Sequence, residues 1–191
     1  MPRTPDPLLE ARILDAAEEL WLAGGEDALS MRAIAERVGT HTPRIYSRFK
    51  DKEQLLRALR SRVVARLRAT LADATSLRDG FTRYLDFAAT RPFEYRLLFG
   101  PGFRQRATPG EPGPLLVLQS GLARTYGGEP AAYRRTALSI WALLHGAATL
   151  QAELGDRVAW REFRDGCLDA CELIAAGHRA GLSPPDPAGE A

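Results

Sequence analysis

Between residues 30 and 68 the chain carries nine arginines and two lysines against three acids, a net of +8 in a protein whose total is only +2. Residues 1–29 are net −5, and the 123 residues beyond position 68 are net −1. The small total is therefore an average over unlike segments. Charge of one sign gathered in one stretch is the footprint of a polyanionic partner, although a solvated helical face gives the same count. Other chemistry is sparse. No nucleophile is paired with a base, no cluster of His, Cys, Asp and Glu has metal-ligand spacing, and no glycine-rich loop runs into a lysine, so no catalytic residue, metal or cofactor is expected. Cys167 and Cys171 stand four residues apart. They are too few for a disulfide framework or a zinc site, and they read as reduced and buried. Twelve of the fifteen aromatics lie beyond residue 80, with Trp141 and His145 one helical turn apart. Such aromatics are either core or the wall of a concave apolar site.

Nearly every apolar segment that positions these groups repeats at helical spacing. Leu9, Ile13, Ala16, Ala17 and Leu20 oppose a run of acids, predicting a helix over 8–23 that Gly24-Gly25 ends. Ser30 caps a short helix over 31–38, closed by Gly39. Thr42 then caps a third helix beginning at Pro43, with Ile45 and Phe49 on its inner face. Asp51 caps a long fourth helix to about Ala74, with Leu55, Leu56, Leu59, Val63 and Leu67 as its apolar stripe. Further helices are expected at 77–90, 92–99, 114–126, 130–154 and 157–180. Residues 100–113 read as a loop from their Pro and Gly content, and 184–191 as a disordered tail. There is no strand pattern, so the chain is all-α with about nine helices in total. At 191 residues it is one ordinary domain, or a small module joined to a larger one.

Two short helices joined by a tight turn at Gly39, the second flanked by polar and cationic side chains, make a helix-turn-helix pattern. Ala33-Ile34-Ala35-Glu36-Arg37-Val38-Gly39, Ile45-Tyr46-Ser47-Arg48-Phe49 and Lys52-Glu53-Gln54-Leu55-Leu56 follow in order, and together they resemble the N-terminal domain of the TetR family of bacterial transcription regulators. The resemblance implies an N-terminal three-helix helix-turn-helix DNA-binding domain at 8–57. A long fourth helix then leads to a C-terminal helical bundle at 58–183 for effector binding and dimerisation. Where the family often has Val and Ser after the glycine, this chain has Thr40 and His41. That leaves Thr40, His41 or Thr42 as the cap of the recognition helix.

Within this pattern Thr42, Pro43, Arg44 and Ser47 point away from the Ile45/Phe49 face, toward base edges. Arg44 can meet O6 and N7 of a guanine with its planar fork, or hold a phosphate. The resemblance sets Tyr46 against the DNA backbone. Lys52 in the first turn of the fourth helix, Arg32 and Arg48 are phosphate candidates, each with a solvated alternative. His41 caps, donates to phosphate or is solvated.

Residues 91–100 and 137–148, the latter with Trp141, His145 and Gly146, resemble the family's C-terminal domain type marked by Trp-x-x-x-His-Gly. Tyr84, Phe87, Tyr95, Trp141 and His145 are the candidate effector contacts, with a satisfied core histidine as the other reading of His145. The small residues Gly146, Ala147, Ala148 and Ala152, with a last helix carrying Trp160, Phe163, Cys167, Leu168, Cys171 and Ile174, offer a two-helix face for a two-fold copy, or pack within the chain. The expected function is a ligand-responsive regulator, a repressor, which binds a palindromic operator in double-stranded DNA as a homodimer and is released by a small-molecule effector. A DNA-binding dimer without effector and a small helical enzyme are the alternatives. No apolar run approaches the roughly 18 residues of a membrane span. The first seven residues, with three prolines and one arginine, are not a secretory signal, so the cytoplasm is the expected compartment.

Overall fold

A computed structural model describes residues 8–100, 113–155 and 159–179. Among these lie α1 (Leu9–Ala28), α2 (Met31–Val38), α3 (Thr42–Tyr46), α4 (Lys52–Ala72), α5 (Leu77–Thr90), α6 (Pro92–Phe99), α7 (Pro114–Tyr126), a 3-10 turn (Pro130–Tyr133), α8 (Arg134–Leu154) and α9 (Trp160–Arg179), with no strand among the described residues. Most of the expected 100–113 loop and the 184–191 tail lie outside them. The chain divides into two compact units, one holding residues 8–65 and 93–100, the other 66–92 and 113–179 as far as described. That division falls inside α4, eight residues past the boundary expected at 57/58.

In the first unit the turns follow from single residues. α1 leaves helical geometry at Gly24 and Gly25, and Gly25 has φ 65 and ψ −144, a conformation open to glycine and closed to most other residues. The regular helix thus stops where the sequence places its end, and one further turn carries the element to Ala28. The Ser30 hydroxyl accepts from the Ala33 N–H at 3.0 Å, and Gly39 closes α2 in the left-handed region at φ 71. At α4, Asp51 Oδ1 accepts from the Gln54 N–H at 2.7 Å while Gln54 Oε1 accepts from the Lys50 N–H at 2.6 Å. This reciprocal pair fixes the turn between α3 and α4.

Two expectations change here. α3 begins at Thr42 rather than Pro43, and its cap is His41, whose side chain makes no capping bond. Pro43 has no N–H to donate, and the first inward bond is Arg44 N–H to His41 O at 2.9 Å, so the backbone of His41 takes the cap position. α4 ends at Ala72, two residues early, because the Ala74 N–H turns back onto Leu71 O at 3.2 Å.

Ile13, Ala17, Ile34, Ile45, Leu55 and Leu59 are fully buried and form the centre of this unit. Arg12 reaches across from α1 to donate to Val38 O at 2.7 Å, satisfying one carbonyl that α2 leaves open at its end. Trp21 Nε1 donates to Phe93 O at 2.7 Å, which ties α6 to α1 although α5 intervenes in sequence.

The second unit packs α9 against α8 and α5, and α7 against α8. Arg78 on α5 holds Asp169 at 2.7 Å and Glu172 at 2.6 Å on α9, and Arg164 on α9 holds Asp86 at 2.7 Å. Leu85, Leu122, Ala137, Ile140, Cys171 and Ala175 fill the centre. Cys171 is buried as expected, whereas Cys167 is half-buried. The helix expected from Pro130 opens instead as a 3-10 turn. There the Ala132 N–H bonds Glu129 O at 3.1 Å, and Tyr133 folds back so that its hydroxyl donates to Gly127 O at 2.7 Å. α9 is described from Trp160, the expected start at 157–158 lying outside the described residues.

Candidate functional site

The outward surface of α3 carries His41, Pro43, Tyr46 and Ser47 exposed, with Thr42, Arg44 and Arg48 half-buried beside them. Ile45 and Phe49 are buried beneath at 0% and 3% exposure. Tyr46 keeps 49% of its surface. The Ser47 hydroxyl donates to Arg44 O at 2.8 Å, so it closes α3 and has its lone pairs left for an outside donor.

The cations around this surface differ in how they are held. Arg32 pairs with Glu36 at 3.1 Å across one turn of α2, both side chains largely in solvent. Such a pair is worth about 0.3–0.5 kcal/mol, so Arg32 is easily redirected. Lys52 Nζ donates to Glu26 O at 3.2 Å, with the Glu26 carboxylate at 4.0 Å. Arg37 meets Glu19 at 2.8 Å and Arg62 meets Asp15 at 2.7 Å, so part of the +8 stretch answers the acids of α1. Arg44 and Lys50 make no side-chain hydrogen bond or ion pair with any other described residue. Lys50 is an exposed cation that sequence reasoning passed over, and its place between buried Phe49 and the Asp51 cap is the signal that marks it.

In the second unit a cavity of about 270 Å³ opens among the end of α4, α5, α7 and α8. Phe81 and Tyr84 from α5, Val117 and Leu118 from α7, and Trp141 and Leu144 from α8 supply most of its apolar wall. Of the five candidate effector contacts it brings together Tyr84 and Trp141. Phe87 is buried one turn along α5, with the Arg91 guanidinium over its ring at 5.8 Å. Tyr95 belongs to the first unit, buried beside Phe99 with ring centroids 4.8 Å apart. His145 stands behind Trp141, the rings stacked at 5.2 Å and 16°. Burial holds its pKa below the ordinary imidazole value and favours the neutral ring.

The signal for the cavity that sequence reasoning missed is a pair of helix-interior glycines. Gly80 and Gly121 line it, and a Cβ at Gly121 would meet Leu77 Cδ2 at an ordinary 3.6 Å, so the room there is spare. No group of three or more His, Cys, Asp or Glu among the described residues could hold a metal ion, and no described helix is long and apolar enough to cross a membrane.

A short helix presented over a glycine turn in one unit and an apolar cavity in the other fit the architecture of a helical DNA-binding regulator. Residues 13–59 match the family model of bacterial regulatory proteins, tetR family, and residues 77–170 match that of the tetracyclin repressor-like C-terminal domain. The chain belongs to the TetR family of DNA-binding transcription regulators. Trp141 and His145 fall within the second match. No curated protein matches the chain.

Among solved structures, a TetR transcriptional regulator from Streptomyces coelicolor is similar at 21% identity and TM-score 0.65, over 95% of this chain and 100% of that one. A TetR variant from Acinetobacter baumannii AYE in complex with minocycline is similar at 19% identity and TM-score 0.63, over 95% and 100%. A structure described as the molecular basis for control of antibiotic production by bacterial hormones is similar at 22% identity and TM-score 0.62, over 89% and 98%. At these identities the likeness is one of fold.

Proposed function

We propose that this chain is a repressor that binds a palindromic operator as a homodimer and is released by a small molecule in the C-terminal cavity. The observation that carries the DNA reading is the α3 surface: exposed His41, Pro43 and Tyr46, and an Arg44 guanidinium with no partner among the described residues. In this reading Arg44 reads a base, while Arg32, Arg48, Lys50 and Lys52 hold phosphates. A recognition helix of five residues buries little area, so two copies about one helical turn apart supply what one cannot.

A partly exposed apolar face supports the dimer. Leu143, Gly146, Leu150 and Leu154 recur along one side of α8, and Phe163, Gly166, Ala170, Leu173 and Gly177 along one side of α9. Leu143 is 39% exposed, Leu150 42% and Leu173 73%. A Cβ at Gly146, Gly166 or Gly177 would meet no atom of a described residue within 4 Å, so nothing among the described residues requires these glycines. A second helix approaching closely does.

The cavity supports the effector, as does the minocycline held by one structural neighbour. Leu71 of α4 lines the cavity while Leu55, Leu56 and Leu59 of the same helix sit in the core around α3. An occupant that prefers one position of Leu71 therefore biases the helix on which the DNA-binding unit is built.

The test is operator selection from random DNA followed by single substitutions. Arg44→Ala should relax one operator position, at about 1–3 kcal/mol of lost discrimination. Lys52→Ala should weaken all sequences alike and lower the salt slope by about one. Equal loss on operator and random DNA for Arg44→Ala would remove Arg44 from base reading.

A further inference from the structure

Among the described residues the cavity wall has one charged side chain and no counter-charge. Arg124, in the last turn of α7, lines it, and no Asp, Glu, Lys or His does. The serine and threonine hydroxyls on the wall are already engaged. Ser76 Oγ accepts from the Asp79 N–H at 3.1 Å, Thr75 Oγ1 donates to Asp79 Oδ2 at 3.2 Å, and Thr125 Oγ1 donates to Gly121 O at 3.0 Å. Arg124 makes no hydrogen bond or ion pair with another described residue. Its Nη2 lies 4.0 Å from where a Cβ of Gly121 would stand, so the guanidinium lies along the cavity wall. A planar fork of five donors beside an apolar chamber fits a carboxylate, which accepts two of them in parallel. A cation in the last turn of a helix also answers the helix dipole, which needs no ligand. The experiment below separates the two.

The volume limits the rest of the ligand. A dry cavity of about 150 Å³ takes benzene. One of about 270 Å³ therefore takes one or two rings. The walls that would face those rings, Phe81, Tyr84 and Trp141, are themselves aromatic and favour offset or edge-on ring contacts.

We propose that the cavity selects a small monoanion, a one- or two-ring acid with its carboxylate on Arg124 and its rings against Phe81, Tyr84 and Trp141. The inference rests on the reading of this cavity as the effector site, and it adds the chemical class. The same chamber without Arg124 would take the neutral molecule as readily as the acid.

Binding of 1-naphthoate, 1-naphthamide and naphthalene to the full chain at pH 7 tests this by calorimetry, with Arg124→Gln and Gly121→Leu beside the parent. Arg124 is exposed, so its substitution leaves the fold intact. The acid is expected to bind about tenfold or more tighter than the amide, the gain of a charge-assisted pair over a neutral one. In Arg124→Gln that preference should fall to about one, with naphthalene unchanged, and Gly121→Leu should weaken all three by filling the chamber. An amide that binds as well as the acid, or a preference that survives Arg124→Gln, overturns the monoanion and leaves the cavity reading in place. Binding of none of the three, or binding untouched by Gly121→Leu, overturns both.

Discussion

Leu173→Ser separates the folding of one chain from the pairing of two. Leu173 is 73% exposed on α9, so within a single chain it has little burial to lose. Full burial of a leucine is worth about 1.5–3 kcal/mol, and covering the exposed share of this one at a two-fold seam yields about 1–2 kcal/mol per copy, or about 2–4 kcal/mol for the pair. Removing it should raise the dimer dissociation constant roughly 30- to 1,000-fold. Monomer stability should stay within about 0.5 kcal/mol, as for surface substitutions generally. Sedimentation equilibrium over a range of protein concentrations measures the first quantity, and denaturant unfolding below the dissociation constant measures the second. Gly166→Ala adds a check of opposite sign. A Cβ there meets nothing within 4 Å, so the methyl should stabilise the isolated helix by about 0.5–1 kcal/mol while wedging apart a close helix pair. A more stable protomer with a weaker dimer is the expected combination. A dimer constant unchanged within threefold in both variants would refute pairing through this face of α8 and α9.

Arg32→Ala should leave the melting temperature within about 1 °C, because the pair it loses with Glu36 is largely in solvent, yet lower the salt slope of DNA binding by about one. Gly25→Ala forces a side chain into φ 65, ψ −144, at a cost of about 1–3 kcal/mol. A melting temperature lowered by about 2–4 °C per kcal/mol in a chain of this size is the expected reading, and no change would mean the kink within α1 can re-form without glycine. Burial depresses the His145 pKa below 6.5, so the unfolded chain binds that proton more readily than the folded one. The stability this confers is fully present above pH 6.5 and is lost as pH falls from there through the folded-state value. His145→Gln should flatten that part of the melting-temperature profile, and an identical slope in the variant would assign the acid loss to other groups.

The helices of this chain are legible where their determinants are a few residues apart. Ser30 accepting from Ala33 and Asp51 accepting from Gln54 are bonds between residues three apart, so the cap and the residue it caps stand side by side in sequence. The same holds for Gly39 at φ 71. The start of α3 was open because His41 and Thr42 are both admissible before Pro43, and the choice falls to a backbone bond, Arg44 to His41, that no side chain announces. Pro130 is a good first residue for an α-helix, but Tyr133 is drawn onto Gly127 O and packs its ring 4.5 Å from His178, which is far along the chain. A contact of that range overrides the local preference and leaves a 3-10 turn.

The cavity was less legible than the DNA surface, for a reason visible on α5. Phe81, Tyr84 and Phe87 recur at helical spacing with 2%, 3% and 3% exposure, yet only the first two face the chamber. Neither spacing nor burial distinguishes them; what differs is what stands opposite, the end of α4, α7 and α8 across from Phe81 and Tyr84. The charge pattern has a similar dependence on partners. Read along the chain, the −5 of residues 1–29 and the +8 of residues 30–68 look like two features, but Glu19 holds Arg37 and Asp15 holds Arg62, so the acids of α1 subtract from the basic stretch at particular positions. What remains without an acid among the described residues near α3 is Arg44 and Lys50, joined by an Arg32 whose pair is weak. If this surface meets DNA as proposed, the cations available to it are selected by α1 as much as by the helix-turn-helix. By this argument, reversing Glu19 to lysine would release Arg37 and strengthen binding to every DNA sequence alike, without changing which operator is preferred.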